Sequence, residues 1–123
     1  MTYYDLYGFE VEHLDDAKRI LEDVLEVRFN THDSLYFGIY YMSEGIMGDK
    51  ISIKSNSDPE ENEYLEPDFP NIDCLIYVDN ASPEVAKRYE EKLLKIDKLQ
   101  LLERYIEWKE KNAGLKESSQ GQL

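Results

Sequence analysis

The sequence holds one cysteine, Cys74, and two histidines, His13 and His32. A lone thiol cannot form an internal disulfide. Two isolated imidazoles and one cysteine in an apolar run make a poor set from which to assemble a nucleophile and its base. No His-Glu-x-x-His, Cys-x-x-Cys, Gly-x-Ser-x-Gly or phosphate-cradling glycine loop occurs. No enzyme, metal or cofactor is expected on these grounds. No apolar run approaches the ~18 residues of a membrane span, and Met1-Thr2-Tyr3-Tyr4-Asp5 has neither the basic nor the apolar region of a secretion signal. A soluble, cytoplasmic protein is the expectation.

The most telling absence is of positive charge between Asn56 and Asp73. That stretch has seven carboxylates, three prolines and no lysine or arginine. The whole chain of 123 residues carries a net charge of −13. Residues 1–82 hold 19 acids and 5 bases, a balance of −14, whereas residues 83–123 hold 8 acids and 9 bases, a balance of +1. Such a field repels nucleic acid and anionic lipid and steers cationic partners into encounter. It also keeps a small protein soluble, which is the plainer reading of the same charge.

The length suits one domain with a single core. Aromatic and β-branched residues over 3–11 predict a strand. Leu14, Ala17, Leu21, Val24 and Leu25 recur at helical spacing behind Asp15 and Asp16, predicting a helix over 14–26. Residues 34–42 alternate as a tyrosine-rich strand, with 28–32 as a short strand leading into it. A hairpin should join 35–42 to the alternating Lys50–Lys54. Pro59, Pro67 and Pro70 keep residues 56–71 out of any central strand or helix, leaving a long loop of the kind that is usually functional or disordered. Cys74-Leu75-Ile76-Tyr77-Val78 reads as a central strand buried on both faces. Ser82, Pro83 and Glu84 are a helix start, so residues 83–95 should be helical. Residues 99–108 fit either element, a strand being preferred. The expectation is one α+β domain over residues 1–111 and a disordered tail over 112–123. The element order suggests a ferredoxin-like sandwich: an antiparallel sheet with two helices on one face and the other face partly open.

Three constellations could carry function. His32 beside Asp33 is the weakest, because adjacent strand residues face opposite ways. Asp58, Glu60, Glu61 and Glu63 could gather oxygens around Ca²⁺, but they lack the glycine and terminal glutamate of an EF-hand loop. The third is partner binding. Tyr36, Tyr40, Tyr41, Tyr64 and Phe69 lie on or near the acidic segment, and tyrosine is favoured at interfaces because it pairs a large apolar area with a polar tip. Phe37 and Tyr77 read as core. Carboxylates around aromatic anchors suit docking on a basic surface. The residues singled out are Asp58, Glu60, Glu61, Glu63, Glu66 and Asp68 for charge, with Tyr64, Phe69 and Tyr40 as anchors.

His32-Asp33-Ser34-Leu35-Tyr36, Tyr40-Tyr41, Glu66-Pro67-Asp68-Phe69-Pro70 and Leu75-Ile76-Tyr77-Val78-Asp79-Asn80 carry a resemblance spanning most of residues 3–106. The pattern resembles the small acidic immunity proteins of bacterial polymorphic toxin and contact-dependent growth inhibition systems. The resemblance implies a cytoplasmic inhibitor that neutralises a cognate toxin, often a basic nuclease, by covering its substrate surface with carboxylates. The alternative expectation is a regulatory or small-molecule-binding domain that uses the open sheet face and a tyrosine-lined pocket.

Overall fold

A computed structural model describes residues 1–35, 38–58 and 63–108, with only the backbone of Asp58. The expected tail and Tyr36, Phe37, Glu60 and Glu61 lie outside the described residues. The chain runs β1 (Thr2–Phe9), α1 (Leu14–Leu25), β2 (Asn30–Ser34), β3 (Gly38–Glu44), β4 (Lys50–Ser55), two short strands β5 (Ser57–Asp58) and β6 (Glu63–Tyr64), β7 (Cys74–Ala81), α2 (Pro83–Leu93) and β8 (Leu99–Glu107). Six strands form one sheet in the order β2-β3-β4-β7-β1-β8, and β5 pairs with β6 separately. Every neighbouring pair in the large sheet is antiparallel. The protein is α+β, with an antiparallel six-stranded sheet and two helices.

The local chemistry explains most boundaries. Ser82 caps α2, its hydroxyl accepting from the Val85 amide at 3.2 Å, and Pro83 begins the first turn. His13 occupies the N-cap position of α1 without a side-chain cap bond, and Asp15 and Asp16 supply the favourable charge of the first turn. The segment over 99–108 resolves as the strand β8, because its mate β1 pairs with it along its whole length. Other expected bounds shift by about two residues, β1 ending at Phe9, β2 running over Asn30–Ser34 and α2 ending at Leu93, and the larger departure is in the tyrosine-rich stretch. The expected continuous strand over 34–42 is interrupted by a turn at Leu35, after which Gly38, at φ 70, starts β3. β2 and β3 then form a hairpin at the sheet edge, with Ser34 opposite Gly38. The hairpin expected between 35–42 and 50–54 forms as β3 and β4.

Alternation along the strands divides the sheet into two faces. Tyr7, Phe9, Ile51, Ile53, Cys74, Ile76 and Val78 join Ala17, Leu21, Leu25, Val85, Ala86 and Leu93 of both helices in one core. The opposite face carries Leu6 and Leu75, which are also buried, at 5% and 0% exposure. Something other than a helix covers them. Part of the acidic segment folds back over this face: a β-carbon on Gly8 would sit 2.9 Å from Ile72 Cγ2 and 3.1 Å from Leu102 Cδ1. Gly8 is therefore the flat spot on which Ile72 rests.

Candidate functional site

The acidic segment is held by Asn56, a residue that is 1% exposed. Its side-chain amide donates to the carbonyls of Phe69 and Ile72, both at 2.8 Å, and its Oδ1 accepts from the Glu66 amide at 2.7 Å. Its backbone carbonyl accepts from Leu65 and its amide donates to Asp73. Beyond the short β5–β6 ladder, one asparagine thus satisfies much of a turn-rich segment.

The consequence is the position of Glu66. Its carboxylate accepts a 2.6 Å hydrogen bond from the Tyr77 hydroxyl. The two residues form one wall of a cleft of about 470 Å³ on the face away from the helices. Register supplies the rest. Tyr77 lies opposite Leu6, and Leu6 lies opposite Glu103. Tyr4 lies opposite Tyr105, their ring centroids 6.0 Å apart. Between Tyr3 and Asp5 the β1–β7 register shifts, so that Asp79 and Asn80 together oppose Tyr4. Asn80 takes the positive φ of 57° that such a bulge uses. Strands β1, β7 and β8, with the segment that carries Glu66, thereby bring Glu66, Asp79 and Glu103 with Tyr4, Tyr77 and Tyr105 to a single cleft, which the paired Asp5 and Arg104 also line.

The electrostatics of the cleft are those of a half-desolvated anionic site. Burial raises the Asp79 carboxyl above the ordinary carboxylate value, although Lys54 and Lys50 oppose the change. Burial, reinforced by the Glu66 carboxylate, pushes the Tyr77 hydroxyl well above the usual tyrosine range. Lys54 sits beside the cleft with its ammonium 4.8 Å from the Tyr77 ring centroid and 5.5 Å from that of Tyr40. Burial lowers its pKa, against the pull of Asp79 and Glu66. The sheet face therefore already stacks one cation on its tyrosines.

The residues expected from sequence are distributed unevenly. Glu66 enters the cleft. Tyr40 shares its face two strands away, stacked on His32 at 5.3 Å. Tyr64 is 45% exposed beside the exposed Glu63, and Asp68 is exposed on the following turn. Phe69 is half-buried, and its carbonyl is taken by Asn56. Asp58 lies in β5, and Glu60 and Glu61 fall outside the described residues. Tyr77, read as core, instead faces the cleft half-buried, because β7 is covered by helices on one side only. Tyr41 is the tyrosine of β3 that turns to the helices, where its hydroxyl donates to Asp15. Asp79, Glu103, Tyr4 and Tyr105 were missed. Alternation places each on a face, but only the β7-β1-β8 order brings them together.

Among the described residues no group of three or more His, Cys, Asp or Glu is placed to hold a metal ion. Among the same residues no helix is long and apolar enough to cross a membrane. No protein-family model matches the chain, and no curated protein matches it in sequence. The likeness to immunity proteins rests on the residue pattern alone.

Proposed function

We propose that the protein is a stoichiometric binding protein that captures a basic protein through the open face of a ferredoxin-like sheet. In this reading it is a cytoplasmic immunity protein that neutralises a cognate, nuclease-type toxin domain by steric and electrostatic blockade. The observation that carries the reading is the cleft, where Glu66, Asp79 and Glu103, carboxylates outside the Asp5–Arg104 pair, converge with three tyrosines. Carboxylates accept paired hydrogen bonds from guanidinium groups, and tyrosine faces take the cation's flat side. The exposed Glu63, Tyr64 and Asp68 extend the same charge along the adjoining segment. Charge so arranged supplies on-rate and specificity, and desolvated aromatics supply residence time.

The test is capture from a lysate of the source cell with tagged protein, at low and at moderate salt. A single basic partner, retained at low salt and lost from a Glu66→Lys, Glu103→Lys variant, is the expected result. An empty capture at both salts, with folded bait and the partner's gene expressed, would remove this reading. A second reading has one observation in its favour: about 470 Å³ is the size of a small-molecule site. It predicts that a small organic cation protects the cleft without any protein partner.

A further inference from the structure

The open face of the sheet carries a cation of its own. Lys54 of β4 lies opposite Leu75 of β7, and residues directly opposite in an antiparallel pair share a face. Tyr77, two residues further along β7, stands on that face too. The Lys54 ammonium is 4.8 Å from the Tyr77 ring centroid and 5.5 Å from that of Tyr40, within reach of both π faces. The hydroxyl of the same Tyr77 donates to the Glu66 carboxylate at 2.6 Å. Tyr77 thus bears a cation on its ring and an anion at its tip, and only the anion lines the cleft.

A second lysine of β4 gives the comparison. Lys50 lies directly opposite Asp79, but it is exposed, where water and salt screen its charge. Lys54 is half-buried, and of the two it does more to oppose the rise of the Asp79 carboxyl. Glu66 and Asp79 both pull on its proton in return. Lys54 therefore acts on two of the three carboxylates that the Asp5–Arg104 pair leaves open. Burial meanwhile strips water from its ammonium. The flexible lysine stem can carry that head back into solvent while its methylenes stay on the sheet.

We propose that Lys54 is a built-in competing cation, which neutralises part of the cleft in the free protein and swings out to solvent when an arginine side chain of the partner enters. The inference rests on the reading of the cleft as a seat for a basic partner and adds the residue that sets its selectivity. Like charges in a half-desolvated site repel more strongly than at the surface. An incoming cation must therefore make better contacts than those Lys54 already has. Guanidinium meets that condition, because its planar fork takes carboxylates by paired hydrogen bonds and it is more weakly hydrated than an ammonium. A partner lysine would only exchange one ammonium for another.

The experiment is a nuclear magnetic resonance titration of the full isotope-labelled chain with N-acetyl-arginine amide, with circular dichroism to confirm that each variant is folded. In the wild type the amide signals of Tyr4, Tyr77 and Glu103 should shift saturably. The ε-methylene protons of Lys54, shielded by two tyrosine rings in the free protein, should lose that shielding over the same titration. Lys54→Met and Lys54→Gln should bind about tenfold more tightly, a gain that damage to the fold would not produce. Lys54→Arg keeps the charge and should bind no tighter than wild type, and Lys50→Met should gain less than about threefold. A Lys54→Met chain that binds the probe no tighter than wild type overturns the proposal while leaving the cleft a cation seat. So does an equal gain in Lys50→Met, which would reduce the effect to net charge, or Lys54 protons that stay shielded at saturation. The absence of saturable shifts in every one of these chains would remove the cation seat itself, and the proposal with it.

Discussion

Arg104 holds Asp5 by two parallel hydrogen bonds, Nε to Oδ1 and Nη2 to Oδ2, each 2.8 Å long. The Asp5 side chain is fully buried, and the same guanidinium reaches Glu90 of α2 at 2.6 Å. Its flat face lies 4.9 Å from the Tyr3 ring centroid. One cation thus joins β1, β8 and α2. Removing it leaves a carboxylate buried without its partner, which is costlier than never having had the pair. Arg104→Met should lower unfolding free energy by about 3–5 kcal/mol, measured by urea denaturation. Arg104→Met combined with Asp5→Leu should recover most of that loss. Equal losses in the single and double variants would mean that packing, not stranded charge, sets the effect.

Asn56 should be the fastening point of the segment that carries Glu66. Asn56→Ala strands two carbonyls and one amide, each loss worth about 1–3 kcal/mol where water cannot enter. The segment can open to solvent, so the expected outcome is local release rather than global unfolding. Hydrogen exchange at Leu65, Glu66 and Ile72 should accelerate by orders of magnitude while exchange in β1 and β7 stays slow. Uniform acceleration across the domain would contradict a local fastening role.

Much of this architecture was legible in the sequence, and the misses have specific causes. Ser82-Pro83 marked α2 because cap chemistry is local. Residues 99–108 are ambiguous because Leu99, Leu102, Tyr105 and Ile106 fit a helix while Leu102, Arg104, Ile106 and Trp108 alternate as a strand does, and pairing with β1 decides the matter. The alternation of the strand is broken at Leu102: the β1–β8 register shifts between Leu6 and Tyr7, leaving Leu102 as the extra residue. Glu66 was singled out from its charge, but Asp79, Glu103, Tyr4 and Tyr105 were not. Nothing along the chain announces that β1 sits between β7 and β8. Asn56 was equally silent, since its role depends on carbonyls 13 and 16 residues away.

Tyr7 offers a contrast to these satisfied groups. Its side chain is wholly buried, and its hydroxyl has no hydrogen-bond partner among the described residues. Burial raises its ionisation well above the ordinary tyrosine range, and the nearby Arg104 offsets this only in part. Tyr7→Phe removes an unsatisfied polar atom while keeping the ring that fills the core. Stability should be unchanged or rise by up to about 1 kcal/mol. A loss of about 2 kcal/mol or more would show that the hydroxyl is satisfied in solution, by an internal water for instance.

Alkaline pH should destabilise the fold through a defined set of acids. Burial pushes the Cys74 thiol from its ordinary 9.0 up to about 12. Burial also raises Tyr7, Tyr77 and Tyr89 above their ordinary 10.0. Below pH 9 these groups are protonated in both folded and unfolded chains and contribute no pH dependence. As pH rises past 9 the unfolded chain releases its thiol proton while the folded chain keeps it, so stability falls. Each group adds a slope of up to about 1.4 kcal/mol per pH unit, with the tyrosines joining above pH 10. Cys74→Ala should flatten the profile between pH 9 and 10. Thiol reagents should label wild-type Cys74 only as fast as the chain opens.

The last prediction separates the cleft from the acidic segment as sources of recognition. Glu66→Gln, Asp79→Asn and Glu103→Gln together remove three charges from the cleft while keeping its shape, and the amide oxygen introduced by Glu66→Gln can still accept from the Tyr77 hydroxyl. Reversing Glu60, Glu61 and Glu63 to lysine instead changes the charge on the adjoining segment. If the cleft seats a cationic side chain, the amide variant should bind a basic partner at least tenfold more weakly, mainly through faster dissociation. The loss of one buried charge pair is worth about 2–5 kcal/mol, so a tenfold effect is a lower bound. The lysine variant should mainly slow association and flatten its salt dependence, because peripheral charge steers encounter more than it holds the complex. Surface plasmon resonance at several salt concentrations reads both rate constants. Unchanged dissociation in the amide variant would move recognition out of the cleft. Unchanged association in the lysine variant would remove Glu60, Glu61 and Glu63 from the mechanism and leave recognition to the cleft.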